Sequence, residues 1–199
     1  VDREGNAVSL TTTLNASFGS GILVPDAGFL LNNELDDFSI KPGTPNMFGL
    51  VGGQANQLMP GKRPLSSMSP TVVRNGAGQV ALVIGAPGGP RIITSVAQVI
   101  LRVLGYGQSL KEAVGAPRIH QQWVPAKTLL EPEWDAELVE SVVGDHGHAV
   151  EWAKTWGFGS VQAIHVLPDG SVSAVSDPRR GGVAGVVGKP PTRPARPGK

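Results

Sequence analysis

The chain has 199 residues, 40% hydrophobic and 17% charged, with a net charge of +1, which suits one globular domain with a sizeable core. The near-neutral balance argues against a nucleic-acid surface, which shows as a strong basic excess. No apolar stretch reaches the roughly 18 residues a membrane helix needs, no secretory signal is legible at the start, and the lack of Cys excludes disulfides, thiolate nucleophiles and Cys-based metal sites.

Arg3-Glu4-Gly5-Asn6 is turn chemistry, and Ala7 to Leu14 alternates and is β-rich, so a hairpin is expected here. A domain rarely opens on a strand that must pair, so residues upstream of Val1 are expected to belong to the fold. Gly28 to Asn33 reads as a short buried strand running into Glu34-Leu35-Asp36-Asp37-Phe38. Residues 40 to 62 are rich in Pro, Gly and Asn without periodicity, and loops of that length are usually functional or mobile. Lys62 to Pro70 follows, with Ser66 and Ser67 adjacent and Pro at both ends. It is either a turn or a non-helical segment that presents two hydroxyls.

Ser69–Val73 and Val80–Ile84 are expected to pair around the turn Arg74-Asn75-Gly76-Ala77-Gly78. Apolar residues Ile92, Val96, Val99, Ile100, Val103 and Leu104 recur at helical spacing, which predicts a helix over Arg91–Leu104. A second helix, Ser109–Val114, has Ser109 and Glu112 placed for a capping box. A third runs from Asp135 to Asp145. Val161–Leu167 and Val172–Ser176 read as late strands. Strands, then helices, then strands favour an α+β layered domain. The Pro- and Lys/Arg-rich residues from Lys189 to Lys199 read as disordered.

Four constellations could carry chemistry. Gly88-Gly89 at the start of a helix could aim two N–H groups at one developing negative charge, or could simply make a tight turn. Glu34, Asp36 and Asp37 could meet a substrate ammonium, or sit on an exposed turn. Asn15 is a strand-end turn residue or a polar substrate contact. His120 is an acid–base group or a buried structural His. His146-Gly147-His148 reads as a solvated loop rather than a metal pair, and no HExxH or other ligand spacing is present.

Thr13-Leu14-Asn15, Phe18-Gly19-Ser20-Gly21, Leu31 to Phe38, Arg63 to Pro70, Pro87-Gly88-Gly89, Ala116-Pro117-Arg118 to Trp123 and Ser176-Asp177-Pro178-Arg179 occur in one order. Together they resemble the small, C-terminal subunit of the γ-glutamyltransferase (glutathione hydrolase) family, over roughly residues 1 to 180, with 181 to 199 as a tail. The resemblance implies an N-terminal-nucleophile hydrolase with a four-layer αββα sandwich, made from a precursor that cleaves itself. The new N-terminal Thr of the small subunit attacks the γ-glutamyl amide, its own α-amine serving as base. Water or an amino acid or peptide then takes the acyl group.

Carried over by position, Gly88 and Gly89 would form the oxyanion hole and Thr13 would hydrogen-bond the nucleophile. Glu34 and Asp37, assisted by Asn15, would bind the substrate α-ammonium, and Ser66 and Ser67 its α-carboxylate with an Arg of the large subunit. Residues 41 to 62 would be a lid. No cofactor or metal is implied; the partners are a γ-glutamyl small molecule and the large subunit, and the setting periplasmic or extracellular. The family's small subunit opens with Thr-Thr-His or similar a few residues before Val1, so the chain as it stands is expected to lack the nucleophile and to be inactive alone. Phe48 stands where some bacterial relatives have a Tyr whose hydroxyl bonds the residue equivalent to Asn15. Two alternatives remain: a cephalosporin or glutaryl acylase of the same superfamily, or an inactive γ-glutamyl-binding fragment.

Overall fold

A computed structural model of the chain describes residues 1–144, 146–153 and 158–187. Its centre is a four-stranded antiparallel sheet. β3 (Thr71–Arg74) pairs with β4 (Val80–Gly85), β4 with β8 (Gln162–Val166), and β8 with β9 (Val172–Ser176). Two shorter strands precede these, β1 (Leu23–Val24) and β2 (Phe29–Leu30), forming a hairpin of their own.

One face of the sheet is covered. The helix α1 (Arg91–Ile100), continued by the π-helical turn Leu101–Gly105, sends Ile92, Val96, Val99 and Val103 onto Leu82 and Ile84. These four recur every three or four residues, so they form one stripe. The helix α2 (Leu110–Gly115) adds Leu110, Ala113 and Val114, and Val161 and Ala163 close the core. The capping box of α2 is formed: Ser109 Oγ accepts from Glu112 N–H, and the Glu112 carboxylate accepts from Ser109 N–H. The opposite face, with Ala81, Ile164 and Ala174, borders an open concavity of about 1560 Å³. The described residues thus supply one sheet layer and one helix layer.

A second sheet was not legible from the sequence. β5 (Ile119–His120) runs antiparallel to β6 (Thr128–Leu130), and β6 runs parallel to β7 (Val150–Trp152). Between β6 and β7 lies α3 (Ala136–Gly144), whose first turn is capped by Asp135 accepting from Leu138 N–H. Strands of two or three residues leave no periodicity to read.

Two expectations are corrected. Residues 7 to 14 form no strand. The turn before them is real, with Asp2 accepting from Glu4 and Asn6 N–H. The segment beyond it has no ladder partner among the described residues and is tied to β4 by Ser9 Oγ donating to Ile84 O. Alternation marks a strand only when an edge is available to pair with. Gly28 to Asn33 yields only the two residues of β2, and Phe29 is 53% exposed rather than buried. Beyond β9, residues 181 to 187 carry no regular element, and the rest of the expected tail lies outside the described residues.

Candidate active site

One cleft of about 1250 Å³ gathers most of the residues singled out above: Thr13, Asn15, Asp37, Ser66, Ser67, Gly88 and Gly89. Glu34 stands behind Asp37 on the same 3₁₀ turn, Glu34–Asp37, and does not line the cleft. Four separate chain segments therefore converge on it.

Three asparagines fasten that acidic turn to its neighbours. Asn33, just before the turn, donates through its N–H to Leu14 O and accepts from Ala16 N–H on its side chain, while its own carbonyl accepts from Asn15 Nδ2. Asn56 Nδ2 donates to Asp37 O at 2.7 Å, and Asn56 Oδ1 accepts from Leu65 N–H, one residue before Ser66. Asn46 Nδ2 reaches Asp36 O, and Asn46 Oδ1 accepts from Phe48 and Leu50 N–H. The Asp36 carboxylate accepts from Met47 N–H, so Asp36 holds the loop over the cleft. The amide side chain suits this role because it donates and accepts at once. No sequence signal distinguished these three from other loop asparagines.

Glu34 and Asp37 are left with the opposite need. Glu34 Oε1 is buried, and no donor among the described residues reaches it. Burial pushes the Glu34 carboxyl above the ordinary range, and the adjacent Asp37 carboxyl adds to the rise. Asp37 is raised as well, by burial first; a hydrogen bond from Glu34 opposes this and Asp36 adds to it. Two neighbouring carboxyls without a cation each make ionisation of the other less favourable. A positive group placed there would favour the ionised form of both.

Gly88 and Gly89 lie in the connection from β4 to α1. Their φ angles are 147° and 56°, a region open to glycine and unfavourable for other L-residues. Space demands glycine too. A Cβ on Gly88 would come within 2.9 Å of Gly159 Cα, and one on Gly89 within 3.0 Å of the Phe48 ring. Gly159, at φ 81°, is a third required glycine, since its Cβ would meet Pro87 O at 2.7 Å. The Gly88 and Gly89 N–H groups have no acceptor among the described residues. At a helix N-terminus, such groups favour negative charge.

Asn15 adopts φ 73°, which Asn tolerates better than most side chains. Its N–H donates to Thr13 Oγ1 at 2.8 Å, so the Thr13 hydroxyl proton remains to be donated elsewhere. Ser66 Oγ accepts from Met68 N–H, which fixes the Pro-flanked segment locally while its hydroxyl proton stays available. His120 is a buried, hydrogen-bonded residue, its Nδ1 on Thr94 Oγ1 and its Nε2 on Gln122 Oε1. Burial holds its pKa low, the Gln122 bond opposing and Arg91 adding to the effect. His146 and His148 are exposed in a turn.

Two motifs noted in the sequence do different work. Arg118 and Arg179 meet in a buried network with Glu131 and Asp177. Arg118 Nη2 donates to Asp177 at 2.6 Å, and Arg179 donates to Asp177 and Glu131. Burial works to raise the Asp177 carboxyl, but Arg118 and the N–H groups of Arg179 and Val161 hold it below the ordinary range. The network ties the end of α2 to β6 and to the chain after β9.

A helix-covered antiparallel sheet with a glycine turn feeding α1 and a polar cleft beside it is the α+β fold of the N-terminal-nucleophile hydrolase type. The chain superposes on a mutant of Helicobacter pylori gamma-glutamyltranspeptidase with a TM-score of 0.85 at 50% identity, covering 90% of this chain and 97% of that one. It superposes on gamma-glutamyltranspeptidase from Pseudomonas nitroreducens with a TM-score of 0.86 at 46% identity, covering 94% and 97%. The family model for gamma-glutamyltranspeptidase matches residues 1–187. A glutathione hydrolase proenzyme of Escherichia coli is 49% identical over 90% of this chain and 30% of its own length. The chain belongs to the gamma-glutamyltranspeptidase family, and it spans about a third of the length of such curated relatives. A cephalosporin acylase from Bacillus halodurans, 24% identical, shares the fold with a TM-score of 0.74.

Proposed function

We propose that this chain is the small-subunit part of a γ-glutamyl hydrolase/transferase that acts on glutathione and related compounds, completed by a large subunit from the same precursor. Its relatives carry the name glutathione hydrolase proenzyme. The single observation that carries the reading is the Glu34–Asp37 pair, with its pKa values raised and Glu34 Oε1 without a donor among the described residues. A substrate α-ammonium satisfies that pair, and glutamyl groups have one where glutaryl groups have none.

In this reading, Asp37 and Glu34 take the ammonium, with the Asn15 side chain nearby. Ser66 and Ser67 donate to the α-carboxylate, and Asn56 fixes the distance between the two ends of the glutamyl head. The N-terminal Thr expected upstream of Val1 attacks the γ-carbonyl; its hydroxyl proton goes to its own amine. Thr13 hydrogen-bonds that hydroxyl. Negative charge developing on the carbonyl oxygen is met by Gly88 and Gly89 N–H, worth about 3–4 kcal/mol per donor. The amine leaves with a proton, and water or an acceptor amine releases the acyl group.

The test is turnover of a γ-glutamyl anilide and of its glutaryl counterpart by the complete protein. Preference for the γ-glutamyl compound supports the reading. Equal or faster glutaryl hydrolysis makes the protein an acylase.

A further inference from the structure

We propose that Gln122, oriented by His120, is a positioning residue that pins the loop over the glycine pair. Phe48 is the centre of that loop, its ring against Gly89. On one side, Asn46 and Asp36 tie the loop to the acidic turn. On the other, Gln122 Nε2 donates to Phe48 O at 3.4 Å and to Val124 O at 3.2 Å. The same nitrogen lies 3.7 Å from where a Cβ on Gly49 would stand, so the amide rests on the Phe48–Gly49 peptide.

The direction of the bond between Gln122 and His120 follows from its neighbours. Two carbonyl acceptors fix the Gln122 amide with Nε2 toward the loop, so its Oε1 must accept. The partner of Oε1 is His120 Nε2 at 2.9 Å, so that nitrogen carries the proton. Nδ1 of the neutral ring is then an acceptor facing Thr94 Oγ1 at 2.9 Å, whose one hydroxyl proton is shared with Arg91 O at 3.2 Å. Thr94 sits on the first turn of α1, the helix that Gly88 and Gly89 lead into. A chain of hydrogen bonds thus runs from the helix behind the glycine pair, through β5, to the loop in front of it. Loop and glycines are held in register from both ends, and Gln98 and Arg102 fix the start of β5 separately, through Ile119 and Pro117. The kinetic consequence rests on the function proposed above; the structural one does not.

The experiment uses the complete two-subunit protein and the variants Gln122→Ala, Gln122→Glu and His120→Phe. Gln122→Glu keeps the volume and the acceptor for His120 but has no donor for Phe48 O. Amide hydrogen exchange over residues 44–52 should speed up about tenfold in both Gln122 variants and less in His120→Phe, with exchange in α1 and β4 unchanged. With a γ-glutamyl anilide, KM should rise about fivefold while kcat changes less than about twofold, because Phe48 covers the glycines without touching reacting atoms. Unchanged exchange over 44–52 overturns the proposal, as does an equal rise in α1 and β4, which marks general destabilisation. A fall in kcat at constant KM also overturns it. If the parent protein turns over no γ-glutamyl substrate, the proposed function fails while the exchange measurement still decides the positioning role.

Discussion

Two groups of charges in this chain are built on opposite terms. In the network of Arg118, Glu131, Asp177 and Arg179, the carboxylates face guanidinium groups at 2.5–3.1 Å, and the four side chains are at most 2% exposed. At the cleft, Asp37 lines the wall with Glu34 behind it, and no donor among the described residues reaches Glu34 Oε1. In the first group every carboxylate oxygen has a donor within the chain, and only Arg118 Nε lacks a partner among the described residues. In the proposed function, a substrate ammonium completes the second. Their pKa values move in opposite directions, down for Asp177 and up for Glu34 and Asp37. In that reading one group holds the structure and the other awaits a ligand, although both contain acids at the ends of short elements.

Breaking each group should therefore give opposite signatures. The largest effect is expected from Asp177→Asn, which leaves Arg118 buried without its counter-charge. About 3–5 kcal/mol of stability should be lost, read as the denaturant midpoint of the complete protein. Asp37→Asn should lower kcat/KM on a γ-glutamyl substrate by about 100-fold, the scale of losing one partner of a desolvated charge pair. Its melting temperature should move far less than that of Asp177→Asn, since the amide replacing the Asp37 carboxyl can still hydrogen-bond Glu34. Gly89→Ala needs φ 56° and a Cβ 3.0 Å from the Phe48 ring. It should lower kcat about tenfold or more with a stability loss of about 1–2 kcal/mol.

The pH dependences sharpen the contrast. Asp177 is lowered in the fold, so its stabilisation is present above the ordinary carboxylate pKa and lost as pH falls through the folded value. Glu34 and Asp37 are raised, so their contribution is present below the ordinary carboxylate pKa and lost as pH rises through the folded values. Affinity for a ligand ammonium should run the other way and strengthen as pH rises through the same window. Glutamate titrations from acid to neutral pH would show this, and a flat profile would detach the pair from ligand binding.

What the sequence disclosed was local. The capping box of Ser109 and Glu112, the α1 stripe and the β3–β4 hairpin each lie within a few neighbouring residues, and each forms near its expected place, although Leu104, expected in the stripe, is exposed. The acidic turn and the glycine pair were equally visible as short motifs. What it hid acts at a distance. Asn56 bridges Asp37 and Leu65, Gly159 makes room for Gly88, and Gln122 reaches Phe48 across 74 positions of sequence. The strands β5, β6 and β7 were missed because they are too short for a period, and β6 finds its parallel partner only after α3. Residues 7 to 14 failed the other way, with a β pattern and no ladder partner among the described residues.

The central claim is that the Glu34–Asp37 pair is an ammonium site. Calorimetric titration of the complete two-subunit protein with L-glutamate and with glutarate tests it most directly, repeated on Asp37→Asn. The account predicts that L-glutamate binds at least about tenfold more tightly than glutarate and that Asp37→Asn removes the difference. Equal affinities in the parent protein, or a preference for L-glutamate that survives Asp37→Asn, would contradict it.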